Sequence, residues 1–243
     1  MMKKADFKKF DNLSSNDKIQ KWAQECYEES ALSYLICSPE TSQRTICVDI
    51  GANVGGFCLY AQNEFDEIYA FEPCYENYVI LENIIKTNGV NNVVAFQNAV
   101  HSESDKLLNL YKSSNNCSGD VICQEQLDTD QEKDFTPLDQ SCETVSLEDI
   151  IGRLQLPYID YLKIDCEGGE YEIFKNFKDY DKVRIICMEV HGSDKKLSLI
   201  RKLEEHYYVI FPDFFKSDHE IELPTLPEIL ETCKGQVEEE QIT

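Results

Sequence analysis

Four residues in the second half of the chain have side chains that could move or hold a proton: Lys163, Asp165, Glu167 and His191. The first three alternate within Lys163-Ile-Asp-Cys-Glu-Gly-Gly-Glu170. At the end of a strand that alternation sends them out on one side, a cation, a hydrogen-bond acceptor and a base within one small volume. His191 follows the apolar run Ile185-Ile-Cys-Met-Glu-Val190, and an imidazole with an ordinary pKa near neutrality can take a proton from a hydroxyl. The competing reading makes Glu167 a helix cap or solvated loop residue and His191 a hydrogen-bonded histidine without chemistry. His101, His206 and His219 show no metal-ligand spacing, and no metal site is expected.

A second constellation is Asp49-Ile-Gly51-Ala-Asn53-Val-Gly55-Gly56, placed where an apolar run stops and a helix starts. Glycine there lets the backbone approach a ligand. Glu72 stands twenty-one residues beyond Gly51, closing Ile68-Tyr-Ala-Phe-Glu72, where an acid accepts hydrogen bonds from ribose hydroxyls. The two features together point to an adenosyl ligand, against the alternative of a tight turn that binds nothing. A dinucleotide pyrophosphate prefers a second glycine where Asn53 stands, and the Asp49 carboxylate would repel phosphates. A sulfonium and an ammonium reverse that preference, with Asp49 facing the positive charge and Asn53 and nearby amides holding a carboxylate. S-adenosylmethionine is therefore expected over NAD. Further along, Asn98 is either an adenine-edge ligand or a plain surface residue. Gly55 and Ala99 complete the expected cofactor set.

These groups need elements to position them. Thr45–Ile50 reads as a strand buried on both faces, the signature of a parallel sheet. Strand-like pieces at 67–71 and 93–98 alternate with a helix over 75–88, predicting βαβ units. The rhythm resumes with a short helix at 145–152, a strand at 159–164, a helix at 170–177 and a strand at 183–190. A helix at 198–206 and a strand-like 207–211 follow. Between 101 and 142 the texture turns polar, with a strand possible at 107–111 and loop from Ser113 to Ser141. Residues 18–37 keep helical spacing after a capping candidate, Ser15 or Asn16.

With 243 residues, one core with decorated ends is expected: a helical extension at 1–43, a core domain at 44–212 and an acidic, partly disordered extension at 213–243. Asp plus Glu total 46 against 23 Lys plus Arg, a net charge of −23 that repels polyanions and argues against a nucleic-acid partner. The eleven cysteines contain no Cys-x-x-Cys pair, and several lie in apolar runs as small hydrophobes, which suits a reducing compartment. The opening residues lack the apolar core of a signal peptide and no run is long enough to span a membrane, so a cytoplasmic location without membrane insertion is expected.

Val48-Asp-Ile-Gly-Ala-Asn-Val-Gly-Gly56, Tyr69-Ala-Phe-Glu-Pro73, Asn98-Ala-Val100, Val145-Ser-Leu-Glu-Asp149 and Tyr161-Leu-Lys-Ile-Asp-Cys-Glu-Gly-Gly-Glu170, taken in this order, resemble the FkbM family of class I S-adenosylmethionine-dependent methyltransferases. The resemblance runs from about Thr45 to His191. It implies an α/β fold with a Rossmann-like, doubly wound, mostly parallel seven-stranded sheet, and O-methylation of a hydroxyl on a sugar, glycolipid or other small metabolite. Cys166 and Gly169 depart from the family pattern, where an aliphatic residue and alanine are more usual, and both leave the carboxylates in place. Two rivals remain: an NAD-dependent oxidoreductase, and a binding protein on a methyltransferase fold without turnover. Nucleic-acid methylation would call for a basic face and an Asn-Pro-Pro-Tyr or Asp-Pro-Pro-Tyr motif, and neither is present.

Overall fold

The computed structural model describes residues 44–113, 121–123, 135–191, 196–207 and 209. The helix expected at 18–37 and the acidic extension at 213–243 lie outside them. The chain forms two compact units, 1–193 and 194–243, and the division falls inside the stretch expected to be one core domain. In the second unit the described element is a helix over Lys196–Glu204, which buries Leu199 and Leu203; most of the strand expected at 207–211 lies outside the described residues.

In the first unit, five strands form a fully parallel sheet: β1 (Ile46–Ile50), β2 (Glu67–Phe71), β3 (Val93–Phe96), β8 (Ile159–Ile164) and β9 (Val183–Met188). Their order is β3-β2-β1-β8-β9. The central strands β1 and β8 are buried at every residue, as continuous apolar runs must be when helices cover both faces. The connecting helices are α1 (Gly56–Ala61), α2 (Tyr75–Thr87), α3 (Leu147–Arg153) and α4 (Glu170–Lys175). Helix α3 starts at Ser146, whose hydroxyl accepts from the Asp149 amide at 3.1 Å. One core cluster packs Val54, Phe57, Phe65, Ile68, Leu81 and Ile84 around Tyr161.

The expected seven-stranded sheet is not what the described residues form. Beyond the five parallel strands, four others make a separate sheet ordered β4-β7-β5-β6: β4 (Ala99–His101), β5 (Leu107–Ser113), β6 (Val121–Cys123) and β7 (Phe135–Ser146). Strand β7 falls partly in the stretch expected to be loop. Its polar composition hides an alternation in which Cys142 and Thr144 are buried while Ser141 and Glu143 are exposed. Such alternation is the mark of a strand covered on one face only.

The chain runs outward from β1 through β2 to β3, then returns to place β8 on the other side of β1. The reversal makes the carboxyl ends of β1 and β8 the switch point of the sheet, the place where doubly wound folds form a ligand crevice. Among the described residues no helix is long and apolar enough to cross a membrane.

Candidate active site

The glycine-rich turn leaves β1 and enters α1, with Gly51 at φ 74, Asn53 at φ 49 and Gly55 at φ 88. Gly51 is demanded twice. Its φ is left-handed, and a Cβ there would lie 1.8 Å from the Asp165 carbonyl oxygen. The turn therefore sits directly against the chain leaving β8, joined by the Asp165 amide donating to the Ile50 carbonyl at 3.0 Å.

Glu72 directly follows β2 and reaches the same turn. Its carboxylate accepts from the amides of Asn53 at 2.8 Å and Cys74 at 2.9 Å, and from the Asn77 side chain at 3.4 Å. Burial, at 4% exposure, pushes its pKa up to about 7 against the pull of those donors and of the Lys163 charge. Beside it the Asn53 Oδ1 is buried without a hydrogen-bond partner among the described residues.

Asp49 and Lys163 are placed differently from the expectation. They are register partners on the neighbouring strands β1 and β8, so their side chains meet inside the sheet: Nζ lies 3.1 Å from Asp49 Oδ1 and donates to the Gly51 carbonyl at 2.8 Å. Asp49 is 0% exposed and Lys163 3%. The Cys58 thiol donates to Asp49 Oδ2 at 3.3 Å. Burial opposes the lysine charge, but Asp49 and Asp165 outweigh it and hold the pKa above the usual lysine value. Asp49 is thus neutralised from within, and Lys163 is a locked cation that braces the turn rather than a member of the acid–base group. The Phe57 ring, 5.9 Å from Nζ, covers the pair.

Asp165, Glu167 and His191 do come together, each half-buried, with one oxygen or nitrogen from each within 4.8 Å of the others. His191 Nε2 lies 3.5 Å from Glu167 Oε2 and 3.6 Å from Glu189 Oε1. Its Nδ1 lies 2.9 Å from Oε1 of Glu170, which is itself fully buried, and the Tyr171 hydroxyl donates to its carbonyl. Burial disfavours the imidazolium, yet Glu170, Glu167 and Glu189 together raise its pKa to about 9. At neutral pH His191 therefore carries a proton, which makes it a donor and a positive charge instead of the base expected from its type alone. Glu170 closes the acidic motif that begins at Lys163 and opens α4. Its spacing from Glu167 was visible; its partner, twenty-one residues on, was not.

Ala99 opens β4 opposite Thr144, and the Asn98 side chain donates to the Glu143 carbonyl at 3.1 Å. Its amide NH₂ thus ties β4 to β7.

A glycine-rich turn and an acid meeting at the switch point of a parallel sheet define a Rossmann-like α/β protein. A match to the methyltransferase FkbM domain covers residues 49–220, and the chain belongs to that methyltransferase family. Methyltransferase sdnD of Sordaria araneosa is 25% identical over 194 residues, 69% of this chain and 74% of that protein. The 31-O-demethyl-FK506 methyltransferase FkbM of Streptomyces tacrolimicus is 27% identical over 205 residues, 73% and 77% of the respective chains. Among solved structures, TrmK of M. capricolum in complex with S-adenosyl-homocysteine matches with a TM-score of 0.41 at 14% identity, over 84% of this chain and 64% of that one.

Proposed function

We propose that the protein transfers a methyl group from S-adenosylmethionine to a hydroxyl oxygen of a sugar, glycolipid or other small metabolite. The observation that carries this reading is the abutment of the two constellations at Gly51 and Asp165, which puts a cofactor turn and a polar, half-exposed cluster on either side of one carbonyl.

The turn suits the cofactor. The orphaned Asn53 Oδ1 would accept from an ammonium, and ribose hydroxyls would donate to the remaining lone pairs of the buried Glu72 carboxylate beside the Asn53 and Cys74 amides. Gly51 and Gly55 would admit the backbone close to the ligand, with Asn98 and Ala99 at the adenine side. Asp49 would act through Lys163, holding the turn in shape. When bound, S-adenosylmethionine would supply an electrophilic methyl carbon, the O–C bond to the acceptor forming as the C–S bond breaks to leave a neutral thioether. The hydroxyl proton passes to Asp165 or Glu167, the carboxylates beside the crevice. His191, held protonated, orients them, and alignment supplies most of the rate.

Oxygen as the accepting atom is supported by the name of the Streptomyces tacrolimicus relative, whose substrate is a 31-O-demethyl compound. A net charge of −23 favours a small acceptor over nucleic acid. One observation favours the NAD reading: with Lys163 neutralising Asp49, the charge that would repel a pyrophosphate is cancelled. Asn53 in place of a glycine still narrows the turn for a dinucleotide.

A thermal-shift comparison decides between them. A ligand at a hundred times its Kd adds about 2.7 kcal/mol, worth roughly 5 °C in the midpoint. S-adenosylmethionine and S-adenosylhomocysteine are expected to shift wild type and to lose at least about tenfold in affinity in Glu72→Ala. A shift with NAD alone makes the protein an oxidoreductase, and no shift with any of the three makes it a binding protein without this cofactor.

A further inference from the structure

We propose that Asp165, Glu167 and His191 bind one divalent first-row cation, with Mn²⁺ the best match, at the mouth of the crevice. One ligand atom from each residue lies within 4.8 Å of the others, and Glu167 Oε2 to His191 Nε2 is already 3.5 Å. An ion with bonds of about 2.1 Å places adjacent ligands about 3 Å apart and opposite ones about 4 Å apart. Small side-chain movements close that gap.

The supporting groups argue independently for a ligand. Glu170 is a fully buried carboxylate whose Oε1 engages His191 Nδ1 at 2.9 Å. That contact fixes the ring with Nδ1 toward Glu170 and turns Nε2 toward Glu167, the carboxylate–histidine–metal arrangement, in which the ion would take the place of the Nε2 proton that His191 carries in the ion-free protein. Its second oxygen, Oε2, is buried with no hydrogen-bond partner among the described residues, a cost of about 1–3 kcal/mol that an apolar residue would not incur. The Tyr171 hydroxyl pins the His191 backbone, and the Asp165 amide is pinned to β1 by Ile50. Three carboxylates, Glu167, Glu170 and Glu189, surround one imidazole. A dication offsets that surplus.

Two carboxylates and one imidazole form a mixed oxygen and nitrogen set, harder than the thiolate-rich sets of structural zinc and softer than one for Ca²⁺, which Mn²⁺ accepts and, more weakly, Mg²⁺. Three protein ligands leave open positions for an acceptor carrying two neighbouring oxygens, such as a vicinal diol. That use of the ion rests on the methyl-transfer reading. The binding of the ion does not.

The test uses the full chain without any S-adenosyl compound. Mn²⁺ is titrated while the electron paramagnetic resonance signal of the free ion is followed. One ion per chain is expected to be taken up at micromolar concentration. Glu167→Gln and His191→Gln should each weaken binding roughly 100-fold, and Glu170→Gln, which removes only the support, roughly 10–100-fold. Circular dichroism of Glu167→Gln, at a half-exposed position, separates lost ligation from lost fold. Undiminished free-ion signal at millimolar Mn²⁺ overturns the proposal, and so does binding that all three substitutions leave intact. Mn²⁺ uptake by a protein that S-adenosyl compounds do not stabilise upholds the site and overturns methyl transfer alone; the opposite pair of results does the reverse.

Discussion

The two halves of the crevice are built on opposite terms. Around the glycine-rich turn after β1, Asp49, Glu72 and the Lys163 that reaches across from β8 are almost wholly enclosed, and each polar group meets a partner fixed by the backbone: a cross-strand lysine, the Gly51 carbonyl, the Asn53 and Cys74 amides. On the β8 and β9 side, Asp165, Glu167 and His191 are half-exposed, and charge is held near charge by a single buried support, Glu170. Enclosure makes the first half expensive to alter and constant in shape. Exposure leaves the second free to change partner, as the proposed handling of an incoming hydroxyl would require.

If that contrast is right, the largest loss of stability comes from breaking the buried pair. Lys163→Ala leaves Asp49 charged, sealed and uncompensated, and is expected to cost about 3–5 kcal/mol in denaturant unfolding. Adding Asp49→Asn to Lys163→Met should recover much of it, since the penalty lies in the orphaned charge. A single substitution costing under about 1 kcal/mol would mean that water reaches the pair and that the two halves differ less than their exposure implies.

Next in size is the seam between the halves. Gly51→Ala drives a methyl group into the Asp165 carbonyl, 1.8 Å away at ideal geometry, from a backbone at φ 74. The expected loss is about 2–4 kcal/mol, measured by thermal or denaturant unfolding. Because backbone meets backbone, the strain must move either the turn or the Asp165 loop, so ligand affinity on the β1 side should fall as well. Normal affinity in a destabilised protein would place the relaxation in the loop.

The same contrast explains what could be read from the amino acids alone. Gly51, Asn53, Gly55 and Glu72 act through backbone shape and through one fixed spacing along βαβ, and both are local in sequence. The convergence of Asp165, Glu167 and His191 at strand ends followed from the same rule. What escaped was set by pairing between strands. Alternation along β8 grouped Lys163 with Asp165 and Glu167, whereas parallel register with β1 delivers it to Asp49, a hundred and fourteen positions from the first. That partner also removed the charge on which the choice of cofactor had partly rested. His191 was rated by the ordinary pKa of its type, and the acids that shift it come from two separate segments. Strand β7 was hidden by its polar residues, although Cys142 and Thr144 already alternated with Ser141 and Glu143.

The smallest effect concerns Glu72 and tests whether enclosure on the β1 side governs ionisation as well as packing. Its neighbours are the Asn53 and Cys74 amides, the Asn77 side chain and, at longer range, the Lys163 ammonium, all of which favour the carboxylate; burial outweighs them and moves the pKa from 4.5 to about 7. The folded protein therefore binds this proton more tightly than the unfolded chain. The resulting stabilisation is complete below about pH 4.5 and disappears as pH rises through about 7. Between pH 5 and pH 8 wild type should lose roughly 1–3 kcal/mol that Glu72→Gln, which has nothing to titrate, does not lose. Measuring urea unfolding of both proteins at the two pH values cancels every other titrating group, His191 included. Parallel behaviour of the two would show that Glu72 ionises as an exposed acid does, and that the turn is as open to water as the cluster across the seam. A steeper fall in wild type would instead tie the ionised form to the ligand: ribose hydroxyls donate more strongly to a carboxylate, so affinity for an adenosyl compound should rise with pH over the window in which the free protein weakens.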